Sequence, residues 1–156
     1  IYRAALQVPV LSGMGTTLVA ILVSGGKAHI VHAGDSRAYK ISRSGVKQLT
    51  VDHSMVQEML NRGDITREEA AHHPHKNIIT RALGVLDMVD VDYTQLDFGP
   101  GETLLACSDG LSNYVHAEQM YQCASAHQGQ ELADALVQAA LAGGGSDNIT
   151  VALIEN

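Results

Sequence analysis

Between Thr16 and Thr50 the chain alternates short runs of branched apolar residues with tight turns rich in glycine and serine, a rhythm that suits antiparallel strands and little else. The run Thr16–Val23 stops at Ser24-Gly25-Gly26, Lys27–Ala33 at Gly34-Asp35-Ser36, and Arg37–Ser42 at Ser44-Gly45, with Val46–Thr50 closing the series. Turns this short join spatial neighbours, so the segment predicts an antiparallel meander. The period then changes: Met55, Val56, Met59 and Leu60 recur at helical intervals up to Gly63, and Thr66-Arg67-Glu68-Glu69 has the form of an N-cap and first turn. Residues 53–73 therefore predict a short helical pair, and the polar, histidine-rich stretch His72–Lys76 predicts an exposed insertion.

Strand signals return at Ile78–Ala82, Val89–Leu96 and Glu102–Cys107, the last nearly all apolar and so expected at the centre of a sheet. Helices are expected over Ala117–Ala126 and Gln130–Ala142; the second aligns Leu132, Leu136, Ala139 and Ala140 on one stripe. Gly143-Gly144-Gly145-Ser146 ends it, and Ile149–Ile154 forms a closing strand. With 156 residues and 46% hydrophobic content the chain can bury one core but not two. Aromatics make up 4% and Trp is absent, so that core must be built from Val, Leu, Ile, Ala and Met. The fold class is α+β, an antiparallel β-sandwich flanked by helices, in a single domain spanning 1–156.

The formal charge of -7, with Lys and Arg dispersed singly, offers no basic stripe and argues against a nucleic-acid partner. Cys107 and Cys123 have no C-x-x-C spacing, and Cys107 closes the apolar run Thr103–Cys107, so both are expected to be reduced and structural, in a cytoplasmic protein. No apolar run approaches the ~20 residues of a membrane span, so no membrane partner is expected. The chain opens at Ile1 rather than Met, as a segment of a longer protein would.

Three turns place an aspartate beside a serine: Gly34-Asp35-Ser36, Ser108-Asp109-Gly110 and Ser146-Asp147-Asn148. Asp35 and Asp109 follow the C-terminal ends of predicted strands, and Asp147 precedes the N-terminal end of one. If the strands bearing Asp109 and Asp147 are antiparallel, both carboxylates emerge at the same end of the sheet. Clustered carboxylates without His or Cys at ligand spacing suit a hard cation, Mg2+ or Mn2+, rather than zinc. Each such turn taken alone is equally well explained by the turn preference of Asp, Ser and Gly.

The order of short motifs weighs against that simpler reading. Gly13-Met14-Gly15-Thr16-Thr17, Ala33-Gly34-Asp35-Ser36-Arg37-Ala38-Tyr39, Asp52-His53-Ser54, His73-Pro74, Thr80-Arg81-Ala82-Leu83-Gly84, Cys107-Ser108-Asp109-Gly110-Leu111 and Ser146-Asp147-Asn148-Ile149-Thr150 follow one another along the chain. Together they resemble the type 2C, metal-dependent serine/threonine protein phosphatases of the bacterial type. The resemblance implies paired antiparallel sheets flanked by helices, with two or three Mg2+ or Mn2+ ions at one edge of the sandwich in the complete domain. It implies hydrolysis of phosphoserine or phosphothreonine on protein substrates of a serine/threonine kinase by a metal-activated water, with no catalytic side chain as nucleophile. Asp109 and Asp147 match the family's metal-binding aspartates, and Asp35 matches a weaker third metal position. Residues 52–77 resemble the flap beside the active site, where His72, His73 and His75 are candidates for proton donation. Arg37 and Arg81 are expected to form ion pairs within the fold.

The family's N-terminal Asp-Gly-x-Gly-Gly motif, its bridging aspartate and its phosphate-binding arginine are not found in residues 1–156. The resemblance therefore implies an N-terminally incomplete domain that is poorly active alone. Self-association, or an N-terminal fragment, would then cover an exposed sheet edge. The alternative is a non-catalytic, phosphatase-like binding or regulatory module.

Overall fold

The computed structural model describes residues 1–156. It stacks three layers: a sheet of three strands, a sheet of four, and a pair of helices. The first sheet has the order β1 (Leu18–Ser24), β2 (Lys27–Ala33), β5 (Asp92–Asp97), and the second β4 (Gly45–Gln48), β3 (Arg37–Ser42), β6 (Thr103–Cys107), β7 (Val151–Glu155). All pairings are antiparallel. Helices α5 (Ala117–Ala126) and α6 (Gly129–Ala142) lie over the four-stranded sheet, and α6 buries the expected residues Leu132, Leu136 and Ala140.

The predicted meander is corrected at one joint. β2 and β3 are consecutive but do not pair; the chain passes from one sheet to the other through Gly34-Asp35-Ser36. The apolar pattern explains the crossing. Ala28 and Ile30 of β2 and Ala38 of β3 all enter one inter-sheet cluster with Phe98 and Leu104, so the strands meet face to face rather than edge to edge. Leu105 and Cys107 of β6, with Tyr39 and Ile41 of β3, face the other way and meet Leu111, Val115, Met120, Leu132, Leu136 and Ala140 in the larger cluster beneath the helices. β6 is thus buried on both faces, as its unbroken apolar run requires.

The expected strand at Ile78–Ala82 reduces to a bridge between Ser54 and Ile79. Its partner is too short: Ser54 caps α2 (Met55–Arg62) by accepting from the Gln57 N–H, so the opposing chain turns helical at once. Helix α3 (Arg67–Ala71) has the expected capping box between Thr66 and Glu69. α2 and α3 are less detached than an exposed insertion would be, since Val56 and Ala70 are buried. Helix α1 (Tyr2–Gln7), the 3-10 turn Pro9–Leu11 and the single-turn helix α4 (Asp109–Ser112) have no clear signal in the sequence pattern. They are too short to show periodicity. No helix is long and apolar enough to cross a membrane.

Candidate metal centre

The antiparallel pairing of β6 with β7 sets Cys107 opposite Val151, so the turns carrying Asp109 and Asp147 lie at one end of the four-stranded sheet. Ser108 ties them together. Its hydroxyl donates to the Asn148 carbonyl at 2.9 Å and accepts from the Thr150 N–H at 3.0 Å, while its own N–H donates to the Thr150 carbonyl at 3.2 Å. Gly110 is the residue that permits this approach: a Cβ there would stand 2.3 Å from the Asn148 carbonyl oxygen. On the other side, the 143–146 turn rests on the Tyr114 ring, whose hydroxyl hydrogen-bonds Ser146.

Asp35 reaches the same end from the crossing between the sheets. Burial, and then the charge of Asp109, push its carboxyl above the ordinary value. Asp35 and Asp109 line an open cleft of about 1110 Å3, together with Arg37, Asp52, His116 and residues of α2 and α3. Asp147 is exposed and stands outside that lining, on the turn joined through Ser108 to that of Asp109.

None of the three aspartates has a basic partner. The ion pairs of this chain use Asp97, Asp52, Glu102, Asp92, Asp64 and Glu131. Asp109 is approached only by the Asn113 amide at 3.5 Å, and Asp147 accepts the N–H of Asn148. Carboxylates at one edge without an ion-pair partner fit a hard divalent cation, which oxygen donors hold while water fills the remaining positions.

Arg37 is paired as expected. It binds Asp52 through two hydrogen bonds of 2.8 and 2.7 Å and touches the Tyr39 hydroxyl, so its guanidinium is committed within the fold. Arg81 donates to Asp92 at 2.9 Å. Of the flap histidines, His72 lines the cleft, whereas His73 and His75 do not; His73 Nδ1 instead accepts the His75 N–H. Both cysteines are free, and burial pushes Cys107 up to about 12, which removes it as a nucleophile near neutral pH.

Sequence reasoning assigned no role to two groups that the fold brings forward. His116 lines the cleft from the N-cap of α5, a place visible only once that helix is docked. His32, His53 and Asp92 bring one ligand atom each within 4.8 Å of one another. They do not form a ready metal site. A metal lies in the plane of each imidazole it binds, and these rings are stacked 4.6 Å apart and only 9° from parallel. Arg81 also stands 3.2 Å from His53 Nε2, where a cation would compete with it.

A family profile described as protein phosphatase 2C matches residues 3–143. The chain belongs to the protein phosphatase 2C family. It is 45% identical over 146 residues to the serine/threonine phosphatase stp of Listeria monocytogenes, a match covering 93% of this chain and 58% of that protein. The crystal structure of the Mycobacterium tuberculosis serine/threonine phosphatase PstP/Ppp superposes with a TM-score of 0.90 at 39% identity, covering 99% of this chain and 68% of that one. A second structure, the PstP catalytic domain in complex with two manganese ions, gives a TM-score of 0.85 at 39% identity, over 97% of this chain and 64% of that one. The chain thus spans less than two thirds of the Listeria relative.

Proposed function

We propose that this chain carries the distal part of the catalytic apparatus of a metal-dependent protein serine/threonine phosphatase, with Asp35, Asp109 and Asp147 as ligands of Mg2+ or Mn2+. The observation that supports the reading is that Asp35 and Asp109, neither of them in an ion pair, line one open cleft, with Asp147 on the turn that Ser108 ties to that of Asp109. The manganese ions of the related PstP structure support the choice of metal.

A divalent cation held there supplies Lewis acidity, acidifying water and neutralising phosphoryl charge. The protein side chains have distinct tasks. Asp109 and Asp147 are held by the Ser108 hydrogen bonds on adjacent turns, so they offer oxygen ligands at little reorganisation cost. Residues 52–77 act as a flap whose Arg67, Lys76 and His72 line the cleft and offer positive charge or hydrogen bonds to a phosphorylated peptide. Arg37 keeps Asp52 neutralised beside the acidic edge. Substrates are phosphoserine and phosphothreonine proteins.

The test is Mn2+-dependent hydrolysis of a phosphothreonine peptide by the chain, run beside Asp109→Asn and Asp147→Asn. Slow turnover that rises with Mn2+ and falls by roughly 100-fold or more in either variant is expected. Turnover that ignores Mn2+, or that persists in Asp109→Asn, contradicts the reading.

A further inference from the structure

His53 is 6% exposed and opens the flap segment, yet all its polar atoms are directed elsewhere. Its N–H donates to the Gly34 carbonyl at 2.9 Å, and its Nδ1 accepts the Gly34 N–H at 3.1 Å. Both hydrogen-bonding groups of the Gly34 backbone therefore end on one residue. Its carbonyl accepts the Thr80 N–H at 2.8 Å, joining the chain three residues beyond the flap segment. Because Nδ1 accepts, a neutral ring carries its proton on Nε2, which faces Asp92 Oδ2 at 3.3 Å. Arg81 donates to the other Asp92 oxygen, and His32 stacks on the ring while hydrogen-bonding the Val51 carbonyl.

Gly34 immediately precedes Asp35, has φ of 110° and lacks room for a side chain, since a Cβ would come within 2.3 Å of Thr17 Cγ2. Its peptide is the joint between the two sheets, packed against Thr17 on one side and held by the His53 hydrogen bonds on the other. We infer that His53 is a positioning residue: through Nδ1 it latches the Gly34 peptide, fixing where Asp35 stands and tying to that turn the start of the flap segment and, at Thr80, the chain that leaves it. Asp92 holds the ring in the tautomer that can accept, its Oδ2 taking the Nε2 proton, while Arg81, whose Nη1 also lies 3.2 Å from Nε2, secures the other Asp92 oxygen. The inference rests on the reading of Asp35 as a metal ligand, and it assigns the Asp52-His53-Ser54 and Thr80-Arg81 motifs a shared task.

An ordinary buried histidine would tolerate or reject substitutions by volume, whereas a latch distinguishes them by where the acceptor sits. Asn places its amide oxygen near the position of Nδ1; Gln reaches instead toward Nε2. The experiment is amide hydrogen exchange at Gly34, followed by NMR in the chain and in His53→Asn, His53→Gln and His53→Ala, with the Leu105 amide of the core as an internal reference. Exchange at Gly34 is expected to accelerate roughly tenfold relative to Leu105 in His53→Gln and His53→Ala but to stay within about threefold of the parent in His53→Asn. Equal protection in His53→Gln and the parent overturns the inference. So does rapid exchange or unfolding of His53→Asn. Mn2+ affinity supplies the second readout: His53→Gln should bind the ion more weakly than the parent, and His53→Asn should bind it as the parent does. If the exchange pattern holds but Asp35→Asn binds Mn2+ as tightly as the parent, the latch stands and the role of Asp35 as a ligand fails.

Discussion

The two sheets are built to different standards. The four-stranded sheet is covered by α5 and α6 and shares with them a buried cluster of 10 residues, whereas the cluster between the sheets has 5. The outer face of the three-stranded sheet is open: Leu22 is 65% exposed and Tyr93 58% exposed. Asp109 and Asp147 stand on the thick side, at the ends of strands locked between layers. Asp35 stands at the joint to the thin side, where hydrogen bonds between Gly34 and His53 hold the chain beside Thr17. With these aspartates as the proposed ligands, two would be fixed by the thick side and the third would respond to movement of residues 52–77.

The contrast is sharpest in stability. Leu136→Ala removes a side chain that is 0% exposed from the larger cluster, and urea unfolding should show a loss of about 2–5 kcal/mol. A loss below ~1 kcal/mol would mean that the helix layer is not the principal core. Gly110→Ala tests the thick side at the site itself. The new Cβ meets backbone atoms of Asn148, so the cost should be about 1–3 kcal/mol, accompanied by weaker Mn2+ binding as the two turns part.

Asp35→Asn should act in the opposite direction. A carboxyl whose folded pKa lies above its unfolded value favours the protonated state, so its ionisation subtracts stability once the pH exceeds the unfolded value. Removing that charge should raise the metal-free Tm slightly near neutral pH and have no effect in acid, where both forms are uncharged. An unchanged or lower Tm at pH 7 would indicate that Asp35 is not burdened by burial and by Asp109. The smallest effect belongs to the open face: Leu22→Ser should shift stability by no more than about 0.5 kcal/mol, and a larger loss would show that this face is covered in solution.

The sequence pattern announced the thick side better than the thin one. The β6 run, the α6 stripe and the closing strand each have enough residues for a period to be read, and the condition under which Asp109 and Asp147 share one sheet end, antiparallel strands, is met by the pairing of β6 with β7. The break between β2 and β3 was not legible, because a three-residue Gly-Asp-Ser turn reads the same whether the next strand pairs at the edge or crosses to another sheet. Ile78–Ala82 failed as a strand for a related reason: its branched residues signal extended chain, but pairing depends on a partner that leaves for α2 at Ser54. Asp35, Asp109 and Asp147 stood out in the sequence through their turns and motifs. His53 was in a motif too, but a hydrogen bond to a backbone N–H 19 positions away has no sequence signature.

The central claim, that carboxylates from both sides of the sandwich hold one metal centre, is tested most directly by Mn2+ binding itself, followed through the loss of the free-ion electron paramagnetic resonance signal. The parent chain should bind Mn2+, with affinity falling roughly 10–100-fold or more in Asp109→Asn, since even changes outside the ligand shell cost that much, and by a smaller factor in Asp35→Asn. Binding that is unchanged in Asp109→Asn would contradict the account.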